Sequence, residues 1–245
     1  MTLRLPNDWT PTRPSLLASD GQSLHAAGSR IGTVVVARQG GSPMKILHID
    51  ASASDGDASH SRRLSAELVE KLKAANPGAS VVYRDVAAEQ LPHVDMTIRQ
   101  AWQPEGEKDS SLTATAKRSK ELVDELKASD VVVIGSPMYN FTVPSTLKAW
   151  IDHVAIAGQT FQYTPTGPKG LLTGKGYLAL SSGGVYSQGP AAASEHLGTY
   201  LVAVLGFLGI GDVEIVRAEG VAFGPEQDQA AMASAKERIG TLVAA

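Results

Sequence analysis

The chain is predicted to fold as an α/β protein, a three-layer doubly wound sheet of five parallel strands. Three observations predict it. Short apolar, β-branched runs alternate with amphipathic helical stretches from Met44 to the C-terminus. The strongest runs are apolar throughout, as in strands covered on both faces. No repeat or second composition block breaks the alternation, so one domain is expected over 44–245.

Each element has its own warrant. KILHID (45–50) is a buried-type strand, followed by a Ser/Gly/Asp loop. From Ser61 to Ala75 the residues Leu64, Leu68 and Leu72 form a helical stripe, which Asn76-Pro77-Gly78 stops. SVVYRDV (80–86) is the second strand. Residues 87–110 hold Pro92, Pro104 and Gly106 and read as a long loop with room for a short helix. Ala114–Ala128 is helical, and VVVIGS (131–136) is the most apolar strand. Pro144–Ala157 is a helix with proline near its first turn. A Gly/Pro/Thr loop runs to Lys175, then come strand GYLALSS (176–182), a helix over Ala191–Phe207, strand DVEIVRAEG (212–220) and a last helix over Glu226–Val243.

Residues 1–43 differ. They are rich in Pro, Gly and Ser without sustained periodicity, and their apolar stretch near Ile31–Ala37 is too short and interrupted for a signal peptide. They are expected to form a disordered N-terminal extension ahead of the domain.

Composition narrows the function classes. The 245 residues are 43% hydrophobic and 19% charged with a net charge of −3, without the basic stripe of a nucleic-acid or membrane-surface protein. There is no cysteine, which excludes disulfides, thiolate metal sites and thiol nucleophiles. No apolar run is long enough to span a bilayer, and a cytoplasmic location is expected. The six histidines show no metal-ligand spacing, so no metal is expected.

In an open doubly wound sheet, ligands bind beyond the carboxyl ends of the strands, at the topological switch point. The loops after the first, third and fourth strands, ASASDGDASHSRR (51–63), SPMYNFTVP (136–144) and SSGGVYSQG (181–189), are rich in small and polar residues. In the strand order 2-1-3-4-5 those strands are adjacent, and the loops line one crevice. The first loop ends at a helix N-terminus, where free N–H groups and the dipole favour an anion. Ser59 and Ser61 add hydroxyls and Arg62 and Arg63 add charge, although either serine could simply cap the helix. The other two loops suit a flat heteroaromatic ring. Pro137 to Phe141 offer apolar walls and an amide, and Gly183-Gly184 allow close backbone approach. Ordinary packing is the competing reading for Tyr139 and Phe141. There is no GxxxxGK[ST] and no GxGxxG.

SPMYNFTVPSTLKAWIDHV (136–154) resembles the FMN-dependent NADH-azoreductase family, also described as NADH:quinone oxidoreductases. The likeness continues through AGQTFQYTPTGPKGLLTGKG (157–176), SSGG (181–184), YLVAVLGFLGIGDV (200–213) and AEGVAFGPE (218–226). It implies a flavodoxin-like fold and a homodimer with FMN held noncovalently near the subunit interface. It also implies NADH as co-substrate, with quinones and azo compounds as acceptors reached by ping-pong transfer. By the same resemblance the flavin contacts fall on Ser52, Ser59, His60 and Ser61, on Met138, Tyr139, Asn140 and Phe141, and on Ser181, Ser182, Gly183 and Gly184. The family often reads S-R-G-G where this chain has Ser182, which bears on substrate preference. Phe161, Tyr163, Tyr186 and Phe207 are candidates for an apolar lid over the ring, with core packing the alternative. No side chain is required as a catalytic nucleophile, because the flavin would carry the chemistry.

Two other classes share the fold. A flavodoxin-like electron carrier would bind FMN but docks on proteins through a strongly acidic face, and −3 is mild for that. A phosphate-accepting signalling domain needs an Asp where Ser136-Pro137 stand.

Overall fold

The structure, a computed structural model, describes residues 42–89, 91–103 and 113–244. The elements run β1 (Lys45–Asp50), α1 (His60–Ala75), β2 (Ser80–Asp85), α2 (Met96–Ala101), α3 (Thr113–Ala128), β3 (Val131–Pro137), α4 (Ser145–Val154), β4 (Phe161–Thr164), β5 (Gly167–Gly170), β6 (Lys175–Ser182), α5 (Leu197–Leu208), β7 (Asp212–Glu219) and α6 (Pro225–Ala244). The main sheet is ordered β2-β1-β3-β6-β7 and every pairing in it is parallel. This is the predicted 2-1-3-4-5 order, with β6 and β7 as its fourth and fifth strands.

Strand alternation divides the core into two layers. Leu47, Ile49, Val132, Ile134, Leu178 and Leu180 meet α3, α4 and α5 through Leu122, Leu126, Leu147, Trp150, Leu201 and Leu205. On the other face Ile46, Val131, Val133 and Ala179 meet α1 and α6 through Leu64, Leu68, Leu72, Met232 and Ile239. The α1 leucine stripe is fully buried, each side chain contributing about 1.5–3 kcal/mol of burial. The centre of the sheet is therefore dry, whereas β2 is an edge strand with exposed Val81, Val82 and Tyr83.

The structure corrects the sequence reading in two places. The segment expected as a loop to Lys175 contains an antiparallel hairpin, β4 and β5, outside the main sheet. Its strands are four residues each, too short to show a period. The helix expected from Ala191 starts instead at Leu197, after a 3₁₀ turn over Pro190–Ser194. Glu195 causes the delay, because its carboxylate accepts the N–H groups of Gly198 (2.6 Å) and Thr199 (3.1 Å) and so caps the helix there. The long loop after β2 does carry a short helix, α2, capped by the Asp95 carboxylate accepting from Ile98 N. The extension expected over residues 1–43 lies outside the described residues, apart from its last two.

Candidate active site

Parallel pairing sets β1, β3 and β6 side by side, so the loops leaving their carboxyl ends converge on one edge. Hydrogen bonds tie them together. Ala53 N donates to Tyr139 Oη (3.2 Å), joining the first loop to the second. Met138 N donates to Ser181 O (2.7 Å) and His196 N to Phe141 O (3.1 Å), joining the second to the third. The third is backed by the loop after β7, since Val221 N and Ala222 N donate to Ser182 O and Gly183 O.

In the first loop Ser59 is the N-cap of α1, its Oγ accepting from Arg62 N at 3.4 Å and lying 3.3 Å from Ser61 Oγ. The helix thus opens at His60. Ser52, Ser59 and Ser61 are all buried. The N–H groups of His60 and Ser61 meet no acceptor among the described residues, so the first turn retains donors for a ligand. The His60 side chain turns to α6, with Nε2 2.7 Å from Asp228 Oδ1. Arg62 does not add free charge as its position suggested. Its guanidinium forks onto Asp85 (2.8 and 2.9 Å), and both pKa values move accordingly, Arg62 upward and Asp85 downward. For Asp85 burial pulls upward and is outweighed by Arg62 and by the N–H groups of Ala88 and Ala87.

The second loop holds the strained backbone. Tyr139 and Thr142 exchange both backbone hydrogen bonds around Asn140 and Phe141, whose φ values are 49° and 73°. Two consecutive positive φ angles make this a type I′ turn, which ordinarily wants Asn-Gly. Asn140 fits; phenylalanine in the left-handed region costs about 1–2 kcal/mol. That strain presents a ring that is 50% exposed, beside Tyr139 at 38%. Strained turns cluster at ligand-binding sites, and both rings are open to a ligand here. The Asn140 amide bonds to no described residue.

The third loop supplies a flat approach. Gly183 is not in the left-handed region, and a Cβ there would meet Ala222 Cβ at 3.3 Å and no other side chain or backbone atom nearby, so a side chain needs only Ala222 to give by a few tenths of an ångström. Gly184 differs, because a Cβ would crowd the Tyr186 ring at 3.1 Å. Ser182 Oγ donates to Gly184 O (2.8 Å), closing the turn where the related motif has arginine. Tyr186 packs edge-on against Phe141, with centroids 6.1 Å apart.

Three residues that the sequence reading missed lie behind this loop. Glu219 accepts Tyr186 N (2.8 Å) and Ser187 N (2.9 Å). Glu195 caps α5, and Arg217 lines with both glutamates a small cavity beside Ser181 and Ser182. Burial would raise the Glu195 carboxyl, but the Gly198 and Thr199 donors and Arg217 hold it below the usual carboxylate range. The one available signal was that Arg217 and Glu219 end a strand at the crevice edge.

The four lid candidates are not brought together. Phe161 packs with Tyr163 (5.5 Å) and Phe207 (4.5 Å), while Tyr186 stays with Phe141. The first three lie where chain leads into β6 and β7, at the amino ends of the strands, with Leu172 N bonded to Leu208 O. They are therefore at the opposite end of the sheet from this chain's own crevice.

Anion donors at one end, with aromatic walls and an open amide at the other, suit an elongated ligand with an anionic tail and a planar head. Comparison with known proteins agrees. The model of the family described as flavodoxin-like fold matches residues 44–243. The FMN-dependent NADH:quinone oxidoreductase of Ralstonia nicotianae is 51% identical over 203 residues, covering 82% of this chain and 97% of its own. The FMN-dependent NADH:quinone oxidoreductase 1 of Pseudomonas putida is 50% identical, with 80% and 96% covered. Among solved structures, an FMN-dependent NADH-azoreductase from Bacillus anthracis in complex with FMN superposes with a TM-score of 0.73 at 30% identity, over 82% of this chain and 99% of that one. The fold, the sequence and the loop chemistry converge, and the chain belongs to the flavodoxin-like family and, within it, to the FMN-dependent NADH:quinone oxidoreductases.

Proposed function

We propose that this protein is an FMN-dependent oxidoreductase that moves electrons from NADH to quinones and to the azo bonds of aromatic azo compounds, cleaving the latter to amines. The observation that carries the reading is the crevice itself, with its free α1 donors, its strained aromatic turn and its approachable Gly183, in a chain about half identical to enzymes of that name. Bound FMN supplies hydride acceptance from NADH and two-electron delivery to the acceptor, so that an azo bond needs two such cycles.

The chain's own residues bind and orient. The His60 and Ser61 N–H groups, with the Ser59 and Ser61 hydroxyls, take the phosphate, and Ser52 takes the adjoining part of the cofactor. Met138 to Phe141 and Ser181 to Gly184 take the ring, with the Asn140 amide free to donate to its polar edge. Phe141 and Tyr186 exclude water from one side. One slot lined by the second and third loops would serve both substrates in turn. Anaerobic NADH should bleach the visible absorption of the purified yellow protein, and a quinone should restore it. Initial-rate plots at several acceptor concentrations should be parallel. A colourless protein, or intersecting lines, would refute the cofactor reading or the shared slot respectively.

A homodimer fits the surface. Helix α5 is apolar all round, yet Val202 and Phe207 on it are exposed, and Tyr163 beside Phe207 is 76% exposed. A second copy would cover that face, and it would let Tyr163 and Phe207, backed by the buried Phe161, approach a crevice other than their own. Sedimentation should give twice the chain mass. A cytoplasmic location fits NADH as donor, and among the described residues no helix is long and apolar enough to cross a membrane.

A further inference from the structure

We propose that Arg62 is a positioning residue for the cofactor loop, working as a fork that anchors the carbonyl of Ser52 to the end of the neighbouring strand. The proposal rests on the reading of Ser52 as a flavin contact.

The geometry is specific. Arg62 Nη2 donates to Ser52 O (2.7 Å) and to Asp85 Oδ1 (2.9 Å), while Nη1 donates to Asp85 Oδ2 (2.8 Å) and Tyr83 Oη (3.0 Å). Asp85 is itself fixed by the N–H groups of Ala87 and Ala88, both at 3.1 Å. Tyr83 Oη donates to Asp50 Oδ2 (3.1 Å), and Ser65 Oγ donates to Asp50 Oδ1 (2.7 Å). His48 Nε2 approaches Asp50 at 3.4 Å without hydrogen-bond geometry. One guanidinium thus ties together α1, the end of edge strand β2 and the first residues after β1.

Two features argue that the fork serves the loop and not only the fold. Arg62 Nε is buried with no acceptor among the described residues, so the side chain is oriented by its two Nη groups at the expense of its third donor site. And beyond Ser52 the loop has few other anchors to the sheet. Ser54 N bonds back to Ser52 Oγ (3.2 Å) and Ala53 N reaches Tyr139, so the position of Ser52 sets both neighbours. An arginine beside an anion-binding turn would ordinarily face the anion; here two carboxylates hold it away, and its charge serves geometry.

The test is a double-mutant cycle on FMN release, read by the fluorescence of flavin freed on diluting the holoprotein. Arg62→Met and Ser52→Ala should each weaken FMN about tenfold, and the double variant should also be about tenfold weaker rather than about a hundredfold. Arg62→Lys keeps the charge but cannot fork, so it should fold and still release FMN faster than the parent, which covers a methionine variant that fails to fold. Additive losses, or a lysine variant with parental affinity, overturn the proposal alone. No loss in Ser52→Ala overturns the Ser52 reading and the proposal with it.

Discussion

Replacing Phe141 by glycine should cost the fold little while costing the cofactor site much. At φ 73° the phenylalanine stores about 1–2 kcal/mol that glycine releases. Against this, glycine adds about 0.5–1 kcal/mol of backbone entropy to the unfolded chain. A half-exposed ring gives up about 1 kcal/mol of burial, and the edge contact with Tyr186 contributes about 0.5–1.5 kcal/mol more. The balance is a loss of about 1 kcal/mol, or about 2–4 °C in Tm for a chain of this size, against about 3–5 kcal/mol for truncating a buried phenylalanine. Phe141→Val is the control. Its branched Cβ worsens the strain, so it should be less stable than Phe141→Gly by about 1–2 kcal/mol although it retains more apolar surface. Urea unfolding of flavin-free protein gives the stabilities without the contribution of bound cofactor, and FMN release should be at least about tenfold faster in both variants. A glycine variant destabilised by about 3 kcal/mol or more, or less stable than the valine variant, would refute the strained-turn argument.

Four further outcomes are expected. Riboflavin, lacking the phosphate, leaves the His60 and Ser61 donors to water, so it should bind about two to four decades more weakly than FMN, and Ser61→Ala should weaken FMN but not riboflavin; equal affinities return these serines to helix capping. Gly183→Val should fold and lose FMN, since a Cβ there meets only Ala222 within the chain; a fully yellow variant sinks the close-approach idea. Although the Tyr83 ring is half exposed, desolvation of its hydroxyl against Arg62 and Asp50, and then the Asp50 charge, push the phenol up to about 12, so between pH 10 and 12 the folded chain keeps a proton that the unfolded chain has lost. Stability should fall across that window in the parent more than in Tyr83→Phe, and a difference titration of the phenolate band that steps near 10 would contradict it. A chain shortened to residues 44–245 should keep its melting temperature and flavin content; failure to fold would show that the first 43 residues contribute to the core.

The central strands β1, β3 and β6 were legible because buried parallel strands announce themselves as apolar runs, the edge strands β2 and β7 from their β-branched runs between helices, and the leucines of α1 mark a helix; the strand order followed from the flavodoxin-like reading. The crevice was legible from topology plus loop composition. What was hidden depends on contacts remote in sequence or too local for periodicity. Arg62 and Asp85 are 23 residues apart, and nothing near either predicts that the arginine turns from the anion site. The alanines after Pro190 look helical, and the cap that delays the helix is a glutamate whose partners lie three and four residues on. The I′ turn escapes the usual rules because they call for glycine where Phe141 stands. Sequence rules describe what is comfortable, and this turn is not.

The engagement of Arg62 also bears on how the cofactor is captured. With Arg62 engaged by Asp85 and Asp50, Asp228 beside His60 set against the exposed Arg63 in the local charge count, and a chain charge of −3, the phosphate end projects little attraction into solvent. Electrostatic steering, which can raise encounter rates by orders of magnitude, has almost nothing to act through. Flavin should therefore arrive by unassisted diffusion, at a rate nearly indifferent to ionic strength, since screening over a Debye length of about 8 Å removes a field that is barely there. Retention falls to short-range donors that act only on contact. Such a pocket should fill at a rate buffered against swings in the salt of its surroundings.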